Sequence, residues 1–535
     1  MRKLFLCKNI ITMENAAKDD SSSVPNAVLV ENGVVLKVGQ AQEIQKEFTA
    51  DEITDLGNNT LMPSFIDPHS HFSQTAFAFL QVSLNGCKSS EEIKERINNY
   101  IKENNIPKCE WITARDYDNN LMPEKKNPPL SVLDEIAPEN PIVIQHKSGH
   151  MGLFNSLGLK ALCVTEDTPS PKGGKIGTDG GKLNGYMEEN AFFDYLKKVP
   201  MPNIEKIMDA FIKAQKKYTS YGITTIQDGM FVHDMFPLFS ELLKRDILYC
   251  DIVAFSAVPD IQKAKKVFSK NIDAYSKRFK IGGLKMFLDG SPQGRTAWMR
   301  TPYKGTEDYF GYPTMEDDEV ISAFETAARE NLQIIAHCNG DAAAEQFLRC
   351  LEIAEKNHSN LKSLRPVMIH AQFIGKDQLE KAFELGVILS FFVAHVYHWG
   401  DVHIENFGKK RADFISPAAS AQEKGIVYTF HQDSPVIEPN MLETIWCAVN
   451  RTTKNGVSLG TDECVSVYDA LKAVTVNSAY QYGEENEKGS IAEGKKADFV
   501  VLSQNPLETG KTKIKDIKVL KTYKEGNLIF DMLTE

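Results

Sequence analysis

The chain has 535 residues, too long for one small domain, and its 42% hydrophobic and 9% aromatic content is that of a packed globular protein, not a disordered one. A net charge of −11 leaves no basic excess to neutralise phosphates, which argues against general nucleic-acid binding. No apolar run reaches the roughly 18 residues of a membrane span.

The start, Met1-Arg2-Lys3-Leu4-Phe5-Leu6-Cys7, is briefly like a signal peptide, but Lys8, Asn9 and Glu14 interrupt it and no small-residue cleavage site follows. Nine cysteines, odd in number and without Cys-x-x-Cys pairing, suit reduced thiols in a cytoplasm. Leu4–Ile11, Asn26–Glu31 and Gly33–Val38 predict short strands, with a hairpin turn at Glu31-Asn32-Gly33. The far end has the same character: Lys488–Ile491 and Gly494–Leu502 precede Ile517–Lys524 and Leu528–Phe530, with a turn at Glu525-Gly526-Asn527. Residues 1–62 and 482–535 therefore predict one small β-sandwich built from both termini.

Between them, buried strands alternate with amphipathic helices, the pattern of parallel βα units. The predicted fold class is α/β, a (β/α)8 TIM barrel over 63–481 with an inserted subdomain at about 88–205. The eight strands end at His71, then run over Gly222–Asp228, Leu248–Ala257, Gly283–Asp289, Gln333–His337, Pro366–His370, Gly386–Phe392 and Ile426–Asp433. The stretch from His71 to Gly222 is far longer than a βα connection needs. It carries a charged helix near Ser90–Asn104, a strand-like Pro141–His146 and a glycine-rich run, Gly173–Gly181, that lacks the ending of a phosphate-binding loop.

Polar residues end most of these strands, where such a barrel places its active site. His69 and His71 form a His-x-His pair whose i, i+2 spacing puts both imidazoles on one face of a strand. Alone the pair is weak evidence, because single histidines are usually structural. Lys285 in strand four, His337 ending strand five, His370 ending strand six and Asp433 ending strand eight complete a set that suits zinc or another divalent first-row metal. A protonated lysine cannot ligate, but a Lys285 carbamylated by carbon dioxide presents a carboxylate able to bridge two ions. The alternative is an unmodified Lys285 beside a single ion.

Together Pro63–His71, Lys285, Ala336-His337, Ile369-His370 and Gln432–Pro435 resemble the amidohydrolase superfamily. With Lys147–Ser156, Lys285–Ser291 and Asn339–Ala343 the chain resembles more narrowly its large-insert branch, amidohydrolase family 3, of YtcJ-like and N-substituted formamide deformylase-like proteins. The resemblance covers essentially the whole chain. It implies that His69, His71 and Asp433 hold the more buried ion, that His337 and His370 hold the second, and that carbamylated Lys285 bridges them. It further implies that Asp433 orients the attacking hydroxide and carries its proton to the leaving nitrogen. His150 would hydrogen-bond the substrate carbonyl, and Asp228 would orient a ligating histidine through its other ring nitrogen.

Arg295 is a candidate for an anionic substrate group or, more simply, an ion pair with Asp289. Gln372 lies two residues past His370, and His395 and Trp399 belong to an aromatic cluster after strand seven that could select a substrate or pack as core. The expected function is a cytoplasmic metal-dependent amidohydrolase that cleaves the C–N bond of an acyclic N-substituted amide or formamide. Cyclic amidase or heterocycle deaminase chemistry is the alternative, and a non-catalytic homologue a third. The expected cofactor is zinc, as two ions or one. The expected partner is a small-molecule amide, with neither nucleic acid nor membrane, and homodimerisation is a family-level expectation.

Overall fold

The computed structural model describes residues 1–14 and 24–534, and it divides into two compact units, 1–72 with 215–535, and 73–214. In the first unit eight parallel strands form one sheet in consecutive order: Phe65–Ile66, Ile223–Phe231, Asp251–Ala257, Phe279–Phe287, Gln333–Cys338, Val367–His370, Ile388–Phe391 and Tyr428–Phe430. Helices follow most strands, the right arrangement for buried β-branched runs that need cover on both faces. The interior packs Ile66, Val253, Phe255, Ile335, Val367, Ile369 and Ile388 against one another. This is the expected α/β barrel architecture, with its first and last strands not joined by a ladder among the described residues. They are tied instead beyond their ends, where the His71 N–H donates to Ser434 O at 2.8 Å.

Several strands are shorter than the sequence predicts. The first stops at Ile66 and the eighth at Phe430, so His69, His71 and Asp433 lie in the segments that follow, not on the strands as expected. The third starts at Asp251, not Leu248. Backbone polar groups at these ends turn to side chains and irregular contacts, as His69 N–H does in donating to Asp67 Oδ1 at 3.2 Å.

The two chain ends build sheets of four strands (Val34–Gly39, Ala27–Glu31, Arg2–Leu6, Glu52–Asp55) and five strands (Asn9–Ile10, Thr60–Pro63, Phe499–Leu502, Val519–Lys524, Asn527–Asp531). Their shared core sets Phe5 edge-on to Phe499 and Tyr523, with ring centroids 5.5 and 5.1 Å apart. Two-residue turns at Asn32-Gly33 and Glu525-Gly526, all with positive φ, close the hairpins as the sequence predicts. Strand three meets this region through buried charge. Asp251 Oδ2 accepts from Lys488 Nζ and Lys524 Nζ, both at 2.6 Å, and Lys524 also reaches Asp498 at 2.7 Å.

The second unit holds a six-stranded sheet in the order Gly174–Asp179, Lys182–Glu189, Met151–Phe154, Ile142–His146, Ile112–Tyr117, Val82–Ser83, where the sequence places an insert at about 88–205. The glycine-rich run is a hairpin, with Gly180 and Gly181 supplying the positive φ of its turn.

Candidate metal centre

The site is assembled at the C-terminal end of the eight-stranded sheet. His69 and His71 face each other with ring centroids 5.2 Å apart, and their Nε2 atoms lie 3.4 and 3.3 Å from Asp433 Oδ1. That oxygen is buried and has no hydrogen-bond partner. In a tetrahedral site with N/O bonds of 2.0–2.2 Å, neighbouring donors stand about 3.3–3.5 Å apart. Two imidazole nitrogens around an orphaned carboxylate oxygen therefore fit a shared divalent cation.

The protonation states agree with that reading. Burial drives His69 and His370 well below the usual imidazole range, and it brings His337 down to about 4. These rings are neutral and keep a lone pair to offer. Burial alone would raise Asp433, but the adjacent His71, with His370 and His69 nearby, holds it well below the carboxylate range.

Lys285 sits in the fourth strand, in register with Ala257 and Ile335, with Nζ 3.5 Å from His69 Nε2. Burial pushes its ammonium down to about 7. His337 and His370 form a second pair, with His370 Nε2 3.0 Å from His337 Nδ1 and 4.0 Å from Asp433 Oδ2. Strand alternation does not explain how His370 reaches this place. Ile369 faces the interior with Val367, so a regular strand would send His370 outward. A φ of 72° at His370 breaks the alternation, and Asp433 has a φ of 57°. Both are conformations that non-glycine residues adopt at a cost, as functional residues often do.

Neighbours orient these rings. His69 Nδ1 contacts Gln227 Oε1, and Gln227 Nε2 donates to Pro68 O and to Tyr482 Oη. Gly229 permits the close approach of the second strand, because a Cβ there would stand 2.6 Å from His69 Cε1. His370 Nδ1 lies 3.1 Å from His431 Nε2, whose Nδ1 lies 2.9 Å from Ser390 Oγ. Gln227, Ser390 and His431 were not among the sequence candidates. His431 precedes Asp433 by two residues, so the i, i+2 rule that selects His69 and His71 selects it too. The residue that reaches His69 is Gln227, and Asp228 meets His71 through a backbone bridge.

The remaining candidates divide. Asp289 is buried and accepts backbone N–H groups from Trp298, Asn339 and Gly340 at 3.0, 2.9 and 2.8 Å, and it lies 3.9 Å from His337 Nε2. Arg295 does not pair with it. Its guanidinium lies over Tyr303 and donates to Lys304 O at 3.2 Å. Gln372 donates through Nε2 to Ser416 Oγ at 2.6 Å and keeps a buried, unpartnered Oε1. His395 and Trp399 lie on the first turns of the helix His395–Phe407, their rings 4.5 Å apart, with Phe392 4.6 and 5.9 Å from them and 6.2 Å from His370. In the second unit His150 is exposed, with Nδ1 3.1 Å from Glu189 Oε2.

An eight-stranded parallel α/β sheet that gathers neutral imidazoles and an ionised aspartate at one end defines a hydrolase of the metal-dependent barrel class. The chain matches the profile of the amidohydrolase family over residues 52–530, and it belongs to that family. It is 26% identical to the Bacillus subtilis protein YtcJ, which bears an amidohydrolase name, over 94% of this chain and 96% of that one. It is also 26% identical to the N-substituted formamide deformylase of Arthrobacter pascens, over 98% of each. Its fold is like that of a metal-dependent hydrolase of unknown activity from Pyrococcus horikoshii (TM-score 0.78, 24% identity, 96% of this chain and 99% of that one).

Proposed function

We propose that this amidohydrolase cleaves the C–N bond of an acyclic N-substituted amide or formamide, with zinc as its metal. The observation that carries the reading is the orphaned Asp433 Oδ1 between His69 and His71 Nε2. Full-length similarity to an N-substituted formamide deformylase supports the substrate class.

In this reading His69, His71 and Asp433 hold one ion, and His337 and His370 a second. Bound there, a divalent cation supplies Lewis acidity that polarises a carbonyl and makes water acidic near neutral pH. Asp433, ionised and buried, accepts the proton of the attacking water and delivers it to the leaving nitrogen, so an amine departs and a carboxylic acid remains. Lys285, held near pKa 7, keeps a neutral amine fraction whose lone pair can attack carbon dioxide. The nitrogen would then lose a proton to leave a carbamate, whose carboxylate oxygens would serve as ligands for divalent cations. Phe392, His395 and Trp399 offer an aromatic wall for the N-substituent, and Gln372 Oε1 an acceptor. His150 and Arg295 enter on the sequence resemblance and loop position alone.

Incubating metal-loaded protein with N-formyl and N-acyl amines, cyclic amides and aminated heterocycles tests this directly. Equimolar primary amine and carboxylic acid are expected from the acyclic amides. Ammonia or a ring-opened acid as the sole product would replace this reading with deaminase or cyclic amidase chemistry. In a second test, Lys285→Ala should lower bound metal from two ions toward one, with partial recovery in short carboxylic acids. Metal content equal to wild type would remove Lys285 from the ligand set.

A further inference from the structure

The helix His395–Phe407 begins just beyond the C-terminal end of strand seven, and two of its three histidines pair with each other. His395 and His403 are eight residues apart, about two turns, so both project from one face with Trp399 between them. His395 Nδ1 lies 3.0 Å from His403 Nε2, and the two rings are within 8° of parallel. His403 is fully buried, with the rings of Phe373 and Phe407 5.7 and 6.0 Å away, and its Nδ1 has no hydrogen-bond partner. A polar ring in such a pocket with one nitrogen unsatisfied is costly. Its one side-chain hydrogen bond is to His395.

That bond fixes one end of the His395 ring and leaves the other free. Phe392 and Trp399 flank the ring at 4.6 and 4.5 Å, and the residue is 4% exposed. Its Nε2 has no partner among the described residues, and it is not one of the sealed unsatisfied atoms such as Gln372 Oε1 and His403 Nδ1, so it opens on space a ligand can enter. Phe392 also stands 6.2 Å from His370 and 5.3 Å from His431, and the Asp433 charge acts on the His395 ring. The open nitrogen therefore belongs to the end of the sheet that carries the cation site. Packing alone accounts for aromatic rings at 395 and 403 but not for their polar edges, since phenylalanine would fill the same space with no nitrogen left unsatisfied.

We propose that His395 is a specificity-determining residue whose Nε2 hydrogen-bonds a polar group on the N-substituent of the substrate, and that His403 is a positioning residue that holds the ring at the required rotation. The N-substituent is then an aromatic ring bearing a hydroxyl. Its ring packs on Phe392 and Trp399. A hydroxyl both donates and accepts, so it satisfies Nε2 in either tautomer of the His395–His403 pair. The inference rests on the amide-hydrolase reading given above.

The test is calorimetric binding of N-benzylformamide and its ortho, meta and para hydroxybenzyl analogues to chelator-stripped protein, where neither turnover nor coordination of a phenol to metal contributes. Wild type should bind at least one hydroxybenzyl isomer about 10–100-fold more tightly than the benzyl compound, the scale of one buried hydrogen bond made or left unmade. His395→Phe keeps an aromatic surface without a polar edge, and the ratio should fall to about one. His403→Leu should lower the ratio by releasing the ring, and His403→Gln, whose amide reaches the place of Nε2, should restore most of it. Melting curves accompany each variant, and the ratios in His395→Phe and His403→Gln decide if His403→Leu fails to fold. No preference for any isomer, or a preference that survives His395→Phe, overturns the contact. A ratio in His403→Leu equal to that of wild type overturns the positioning role. Metal-loaded wild type that releases no amine from these formamides while the binding preference stands overturns the amide-hydrolase reading and not the contact.

Discussion

Asp433→Asn should fold, retain most of its bound metal and lose turnover by about 10²–10⁴-fold, the range expected when a positioned acid–base group is removed. The amide keeps an oxygen where Asp433 Oδ1 stands 3.3–3.4 Å from the two imidazole nitrogens. It cannot take up the proton of the attacking water, because an amide is not basic at neutral pH. The check pairs kcat on an acyclic amide with elemental analysis of the same sample. Turnover near wild type with metal retained would remove Asp433 from proton transfer. Lost metal together with lost turnover would mean that its charge is needed first of all for binding.

The second large effect is on stability. Asp251→Ala should cost about 3–5 kcal/mol, the usual consequence of stranding buried partners of an ion pair. Lys488 and Lys524 are both buried and both place Nζ 2.6 Å from Asp251 Oδ2, so one substitution leaves two ammonium groups short of charge. Denaturant unfolding measures this, and a loss below about 1 kcal/mol, the scale of exposed pairs, would contradict it.

The same cluster sets the acid limit. Burial opposes ionisation of Asp251 and Glu484, but Lys488 and Lys524 drive Asp251 well below the carboxylate range, and Lys488 and Lys280 bring Glu484 to about 2. A depressed folded pKa stabilises above the unfolded value, 4.5 for Glu484, and that contribution fades as pH falls toward about 2. The melting temperature should therefore decline below about pH 4.5. The decline should be shallower in a Glu484→Gln variant, whose melting temperature is already lower near neutral pH. Identical acid profiles would exclude this cluster as the source.

Much of this protein is legible from local pattern. Two-residue alternation and 3.6-residue periodicity depend on neighbouring residues only, so the barrel strands, the helix at Ser90–Glu103 and the hairpins at Asn32-Gly33 and Glu525-Gly526 are visible in the chain. The order of donors, from His-x-His through Lys285, His337 and His370 to Asp433, also reads directly, because each follows an apolar run. Strand ends are less legible. Apolar residues begin before Asp251, yet the ladder starts only where the partner strand is in reach, which is a property of two segments and not of one.

The sequence by itself determined the class of fold, the donor types and their placement near the ends of successive strands. Only the tertiary structure decided which atoms face one another. A positive φ turns the His370 side chain against strand alternation, Asp433 takes a positive φ just beyond its strand, and such torsions are held by surroundings distant in the chain. The partners that orient the rings, Gln227 for His69 and the His431–Ser390 pair for His370, come from other parts of the sheet, and of the three only His431, two residues before Asp433, carries a local signature. Arg295 shows the same limit, since its expected partner Asp289 is saturated by three backbone N–H groups from residues that the fold alone brings together. Periodicity is a short-range property of the chain, whereas hydrogen-bond partnership depends on long-range closure of the sheet.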